Sequence, residues 1–339
     1  MLGKKLLSAS QPGNKLALAL AHDTSPRVTV YEFSSSGFGQ KYSNPATIIA
    51  SQGWFLTFSP DGAAIIIASY SDGLNAYRWS QSGFGTKYAN PSPASPNWPA
   101  GLAFSPDGLA VAMISQTTYG IHSYQWSSAT GFGTKYAVPA TVWGYSGLAF
   151  SPSSDALAIA WTNNRYIRAW SWSSASGVGT QYADPGLSAS NASKCAAFSP
   201  NGTAVATGPH AYPWSSSSGF GARYALPSPL PPAGNYYNYV AFSPDGTTIA
   251  IGTDATPFIS CYSWSSSGFG SKYSDPAIPP GGQINSIAFS PGGDMIALAH
   301  DNYPYISVYP WSSSGFGAQY STPSSLPPSA CKSVAFSPL

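Results

Sequence analysis

Reactive sites need unlike groups held close together, and this 339-residue chain offers few such gatherings. Its four histidines, His22, His122, His210 and His300, lie far apart in sequence, three of them close to one recurring turn. Turns in separate copies of a repeat do not meet at one metal ion, so these histidines read as isolated surface groups. Three cysteines, Cys195, Cys261 and Cys331, lack metal-ligand spacing, and an odd number is no disulfide framework. They are expected as buried free thiols. No nucleophile elbow (GxSxG), phosphate-cradling GxxxxGK or zinc-binding HExxH occurs. The aspartates mostly occupy turns. The expectation is no catalytic residue, no metal, no cofactor and no enzyme.

The chemistry that remains is recognition by flat rings. Trp54, Trp98, Trp143, Tyr236 and Tyr237 stand four to seven residues before a recurring phenylalanine. Tyr119, Asn163, Asn164, Arg165, Asn302 and Tyr303 sit in a second recurring turn. Aromatics beside asparagine and glycine-rich loops are surfaces on which sugar rings or the apolar anchors of a partner can stack. The candidate binding face is therefore Trp54, Trp98, Trp143, Tyr119, Tyr236, Tyr237, Tyr303 and Arg165. The competing role for these rings is to seal the ends of the repeats. Single-stranded nucleic acid also uses aromatic platforms but needs a cationic groove. Only Arg165 and Lys194 are near, and the formal charge is +2, so no nucleic-acid partner is expected.

Two phrases recur in step along the chain. WSSSGFGSKYSDP, from Trp264, has counterparts beginning at Phe33, Trp79, Trp126, Trp172, Trp214 and Trp311. VAFSPDG, from Val240, has counterparts whose phenylalanines are Phe58, Phe104, Phe150, Phe198, Phe289 and Phe336. With Phe242, these are spaced by 46, 46, 48, 44, 47 and 47 residues. A period near 46 built of short apolar runs between turns suits a four-stranded propeller blade.

One unit can be read strand by strand. Val240–Phe242 alternates large and small, and Ser-Pro-Asp-Gly then makes a tight turn. A fully apolar strand follows, as in AIIIAS, AVAMIS, ALAIAW and MIALAH. The third strand ends in an aromatic pair such as Tyr77-Arg-Trp79 or Tyr262-Ser-Trp264, and Gly-Phe-Gly turns the chain into a short fourth strand. Lys41, Lys87, Lys135, Arg223 and Lys272, replaced by Gln181 and Gln319 in two copies, would guard that outer edge against pairing with another sheet. The Trp and Phe of the phrase are expected to pack between neighbouring blades.

The expected fold is all-β, a single seven-bladed propeller over residues 1–339 with blades starting near 12, 55, 101, 147, 195, 239 and 286. The last copy stops after its first strand and the first copy has no clear first strand. A closing strand at 332–337 is therefore expected to join the N-terminal blade, with residues 5–10 competing for the same place. Leu16 to Ala21 align with the second strand of every later copy, so the N-terminal segment reads as part of the fold and carries no targeting information.

The Ser-Pro-Asp-Gly turn, the Asp after strand two and the Trp ending strand three resemble WD40-type β-propeller repeats. The Gly-His before strand one is missing and the Trp is followed by Ser, so that family's Asp-His-Ser-Trp network does not carry over whole. The resemblance implies a scaffold for binding. The serine-rich phrase also looks like repeats of bacteriophage structural proteins.

Charged residues are only 8% of the chain while aromatics reach 14%, a balance that argues against disorder and suits a protein inside an assembly or outside a cell. No segment approaches the length of a membrane span. The function expected is a non-catalytic structural or interaction disc in a larger assembly such as a bacteriophage virion. Its partners would be other proteins of that assembly, with no nucleic acid and no membrane insertion. A carbohydrate-binding propeller that recognises host-surface or extracellular glycans is the second reading. An enzyme with its site at the central opening is the third.

Overall fold

The computed structural model describes residues 15–118, 120–137, 145–161, 167–185, 192–232, 234 and 236–338. These form seven blades of four antiparallel strands arranged as a seven-bladed β-propeller, with no helix among the described residues. Blade two shows the pattern: Gly53–Phe58, Ala64–Ser69, Gly73–Ser80 and Gly83–Lys87, paired in sequence order. The other blades open with the strands Pro99–Phe104, Tyr145–Phe150, Ala197–Phe198, Tyr236–Phe242 and Ile284–Phe289. Blade one takes its first strand from the far end of the chain. Cys331–Phe336 pairs with Leu16–His22, matching Phe336 to Leu18 and Val334 to Leu20.

The closing strand also completes a turn. In blade two the Ser59 hydroxyl accepts a bond from the Ala64 N–H at 2.9 Å, tying the Ser-Pro-Asp-Gly turn to strand two. In blade one Ser337 Oγ accepts from the Ala17 N–H at the same 2.9 Å, and the Ser337 N–H donates to the Ala17 carbonyl at 2.8 Å. The turn aspartate is held in the same way in its own blade. At Asp245 burial would raise the carboxyl pKa, but bonds from the Ser243 hydroxyl and from Thr247 outweigh it and hold it below its ordinary value.

Strand two is buried on both faces, and its alternation decides how blades stack. In blade one Ala17, Ala19 and Ala21 face blade two, against Leu56, Ile65 and Ile67. Its other face, Leu16, Leu18 and Leu20, meets Ala297 and Ala299 of blade seven. The same rule sets Ala204 and Ala206 against Ile249 and Ile251. An alanine-rich face thus meets the larger face of the next blade, with Ile66 in blade two and Ile114 in blade three among the exceptions on that face.

The repeated phrase forms the outer part of each interface. Trp79 packs edge-to-face on Phe58 and Phe84 of its own blade, with ring centres 5.4 and 5.1 Å away, and on Tyr42 of the preceding blade at 5.1 Å. The first aromatic of the pair uses its hydroxyl. Tyr77 donates to the Thr47 carbonyl at 2.7 Å, and Tyr262 to the Pro229 carbonyl at 2.8 Å, both in the loop arriving from the previous blade.

Two outer strands are shorter than the repeat predicts. In blades five and seven they are only Gly219–Phe220 and Gly315–Phe316, where blades one to four and six have five residues. The third strands of these two blades carry Pro213 and Pro310 between the aromatic pair. Proline has no N–H to give the outer strand, so pairing stops early. The basic slot forms no continuous belt: Lys135 lies over the Tyr124 ring, and Lys272 pairs with Asp275.

Deleting residues 331–339 should strip blade one of its innermost strand and open the ring. The expected outcome is loss of cooperative thermal unfolding, read by circular dichroism. A melting temperature within a few degrees of the full chain would show that the closing strand is dispensable.

Candidate active site

Seven first strands converge on the axis, and the residue four places before each repeat phenylalanine points at a common cavity. These residues are Trp54, Ala100, Ser146, Lys194, Asn238, Asn285 and Lys332, and all of them line a space of about 310 Å³. Phe55, Pro99, Leu102, Leu148, Gln116, Cys195 and Tyr239, with Gly101 and Gly147, complete its wall. The ring of one backbone position is chemically lopsided. Blades two and three contribute an apolar side; blades five, six, seven and one contribute amide and ammonium groups.

The polar side coincides with a break in the repeat geometry. Ala192–Ser193 does not join blade five but pairs in parallel with Tyr236–Phe242 of blade six, and the Lys194 N–H donates to the Tyr237 carbonyl at 3.0 Å. Blade five is left with a first strand of only two residues, Ala197–Phe198. The Lys194 ammonium lies 4.0 Å from the centre of the Tyr236 ring. Burial lowers its pKa, partly opposed by Asp254 and Asp301.

Asn238 is only 5% exposed, yet neither its Nδ2 nor its Oδ1 finds a hydrogen-bond partner within the protein. A buried amide left unpaired costs roughly 1–3 kcal/mol, so a ligand that satisfies it gains what the fold forgoes. Across the cavity, Asn285 donates from Nδ2 to Asp301 Oδ1 at 2.7 Å and to the Cys331 carbonyl at 2.9 Å. Lys332 lies 3.3 Å from the same Asp301 oxygen and 3.5 Å from Asp23 Oδ2. Asp301 is thereby fixed by two cavity-lining side chains. Cys195 also touches the cavity, but burial pushes its thiol up to about 12, so it is no nucleophile near neutral pH.

The aromatic face expected from the sequence is only partly assembled. Trp54 lines the cavity, and Tyr70 stacks on it at 5.2 Å with Trp98 beyond at 5.0 Å. Tyr236 sits under Lys194. Tyr303 stands apart, 70% exposed, and its ring contact is with Tyr305. Tyr237 corrects the expectation: it is 5% exposed and packs into the interface of blades five and six, against Gly208. Strand alternation explains this, because Tyr236 and Asn238 face one way and Tyr237 the other. Trp143, Tyr119 and Arg165 lie outside the described residues.

The polar ring was missed, although a signal for it exists. Aligning the copies on their phenylalanine places Lys194, Asn238, Asn285 and Lys332 in one column, where residue chemistry varies most. No single copy holds more than one of them.

The histidines also differ from expectation: all four are buried. His300 Nε2 meets Ser307 Oγ at 3.0 Å and its Nδ1 meets the Asn302 carbonyl at 2.8 Å; His22 Nε2 meets Thr29 Oγ1 at 2.9 Å. These two tie strand two to strand three, whereas His122 Nε2 meets Thr118 Oγ1 of the preceding turn at 2.7 Å and His210 Nδ1 lies 3.3 Å from the Arg223 guanidinium. The three cysteines are buried and free. Among the described residues no group of histidine, cysteine and carboxylate side chains could hold a metal ion. Among the described residues no helix is long and apolar enough to cross a membrane.

No family model and no curated protein matches the sequence. Solved structures do resemble it. A Bacteroides fragilis protein provisionally named a 6-phosphogluconolactonase superposes with a TM-score of 0.75 at 11% identity, over 96% of this chain and 99% of that one. The periplasmic gluconolactonase of Pseudomonas aeruginosa gives 0.70 at 15% identity, over 95% and 99%. The Cps50 (Swd1) β-propeller domain of Myceliophteria thermophila gives 0.60 at 12%, over 83% and 90%. At such identities the likeness carries the fold. The last of them supports the propeller part of the WD40-type resemblance, while the bacteriophage likeness and a place in a virion find no support.

The comparisons correct the functional expectation. A non-catalytic structural disc, with glycan recognition as its alternative and no enzyme activity, is contradicted by neighbours named as lactonases. That expectation rested on finding no gathering of polar groups within any repeat, and Lys194, Asn238, Asn285 and Lys332 gather only where the repeats meet.

Burial lowers the pKa of each histidine to about 4. The ordinary value is about 6.5, so below it the unfolded chain binds more protons than the folded one. Stability should be fully present above pH ~6.5 and fall as the pH drops towards the folded value, by on the order of 3 kcal/mol per histidine at most. Urea unfolding between pH 7 and 4 checks this, and His300→Gln should make the decline shallower. Equal midpoints across that range would show that the histidines do not control acid stability.

Proposed function

We propose that this protein is a hydrolase that opens a small sugar lactone in the central cavity. The observation that carries the reading is the polar arc of Lys194, Asn238, Asn285 and Lys332 facing the apolar arc of Trp54, Ala100 and Leu102. A sugar lactone has the matching character, with hydroxyls and a carbonyl at its edge and C–H groups on its faces. The names of the neighbours at full-length coverage support the same class.

The chemistry is acyl transfer to water. Water adds to the lactone carbonyl carbon, and negative charge gathers on the carbonyl oxygen. The Lys194 ammonium and the Asn238 amide N–H are the donors for that charge, in a site where few waters compete. The proton of the attacking water passes to solvent water, while Asp301, outside the lining, holds the Asn285 amide and the Lys332 ammonium in place. Collapse of the tetrahedral intermediate breaks the bond to the ring oxygen, which leaves with a proton as the free hydroxyl of the product acid. The Trp54 side holds the apolar face of the ring and sets its orientation.

Proton release from glucono-1,5-lactone and from its 6-phospho form, corrected for spontaneous opening, tests the reading. The wild type should exceed the background rate on one of them, and Lys194→Met should reduce kcat/KM about 10²-fold with its melting temperature little changed. No rate above background on either compound would overturn the assignment.

A further inference from the structure

An aromatic ladder leaves the cavity and climbs onto the exposed face of the ring. Trp54 belongs to the cavity wall; Tyr70 lies 5.2 Å from it, tilted by 49°, and Trp98 lies 5.0 Å from Tyr70, tilted by 32°. The outermost ring, Trp98, is 41% exposed. Its indole is therefore left partly in water, where the ring of Trp79 is buried, and offers apolar surface to a ligand.

The ladder is built rigidly. The Tyr70 N–H donates to the Gln52 carbonyl at 2.9 Å, and the Trp98 N–H donates to the Tyr70 carbonyl at 2.8 Å. The Trp98 carbonyl in turn accepts from the Gln116 N–H at 2.9 Å, and Gln116 lines the cavity. Trp98 adopts φ 54°, a left-handed conformation uncommon for a bulky residue. Three segments, ending blade two's approach, its second turn and blade three's approach, are therefore locked before any ligand arrives. Little ordering remains to oppose binding.

We infer that Tyr70 and Trp98, which continue outward from Trp54 of the cavity wall, form a subsite for a second sugar ring, and that the substrate is a lactone of disaccharide size. The inference rests on the lactone reading above. The lactone ring occupies the cavity among Lys194, Asn238 and Asn285, where its carbonyl finds donors. The attached ring lies outside, its C–H face on Tyr70 and Trp98, with the Gln116 side chain beside it for a hydroxyl. Ring stacking suits this position because it accepts either face of a pyranose and needs no water-excluded pocket.

Cellobiono-1,5-lactone and glucono-1,5-lactone, compared in the same proton-release assay, read the subsite directly. The two-ring compound should have the higher kcat/KM, and Trp98→Ala should lower it roughly tenfold more than it lowers the one-ring value. Trp98→Phe, which keeps a ring, should restore most of the difference. Equal kcat/KM for the two lactones in the wild type would overturn the subsite while leaving the hydrolase reading intact. A second measurement does not depend on catalysis: quenching of tryptophan fluorescence by cellobionate, the open-chain acid. Saturable quenching lost in Trp98→Ala without hydrolysis of either lactone would keep the subsite and remove the hydrolase. Neither quenching nor hydrolysis would remove both.

Discussion

The ring is held together by a contact between successive copies of one phrase. The tyrosine that ends each phrase packs edge-to-face on the aromatic that begins the next: Tyr42 on Trp79, Tyr88 on Trp126, Tyr136 on Trp172, Tyr182 on Trp214, Tyr224 on Trp264, Tyr273 on Trp311, and Tyr320 back on Phe33. Such a pair adds roughly 0.5–1.5 kcal/mol beyond the area it buries. The glycine of the following phrase is part of the same contact. At Gly268, φ is +96° and a Cβ would come within 2.8 Å of the Tyr224 ring, so only glycine lets the tyrosine approach. Each phrase is therefore both a reader of the previous copy and a platform for the next, which explains why its wording is so uniform.

That uniformity has a cost for chemistry. The alanine faces, the large aliphatic faces, the turn serines and the Tyr–Trp contacts occupy most positions of every blade, and none can change without disturbing a neighbour. The inner end of the first strand is released from this rule, because it borders the axial space and not another blade. It is where Trp54, Ala100, Ser146, Lys194, Asn238, Asn285 and Lys332 differ. A regular frame carries an irregular centre, and the displaced Ala192–Ser193 strand marks the side where the irregularity is greatest.

Burial then sorts the centre's groups by what they can do. It pushes the Cys195 thiol up and the Lys194 ammonium down, while Asp301 is kept in place by Asn285 and Lys332. The histidines, which a search for catalysts would examine first, are buried within separate blades, two of them tying strand two to strand three.

Much of the frame was legible in the sequence, since its causes are local. Alternation along strand two, the proline and glycine of the turns and the spacing of the phenylalanines are read within a few residues, and they determine seven antiparallel blades. The complementary ends of the chain predicted closure, and the register of Cys331–Phe336 on Leu16–His22 follows the same pattern. The early stop of two outer strands was also written locally, in Pro213 and Pro310. Residue types alone did not reveal the site. Which of Tyr236 and Tyr237 faces outward depends on the register of one strand, and the joining of Lys194, Asn238, Asn285 and Lys332 depends on closing the ring. Those four residues are separated by 44, 47 and 47 positions, so no local window contains two of them. Only packing the blades around an axis brings them to one cavity.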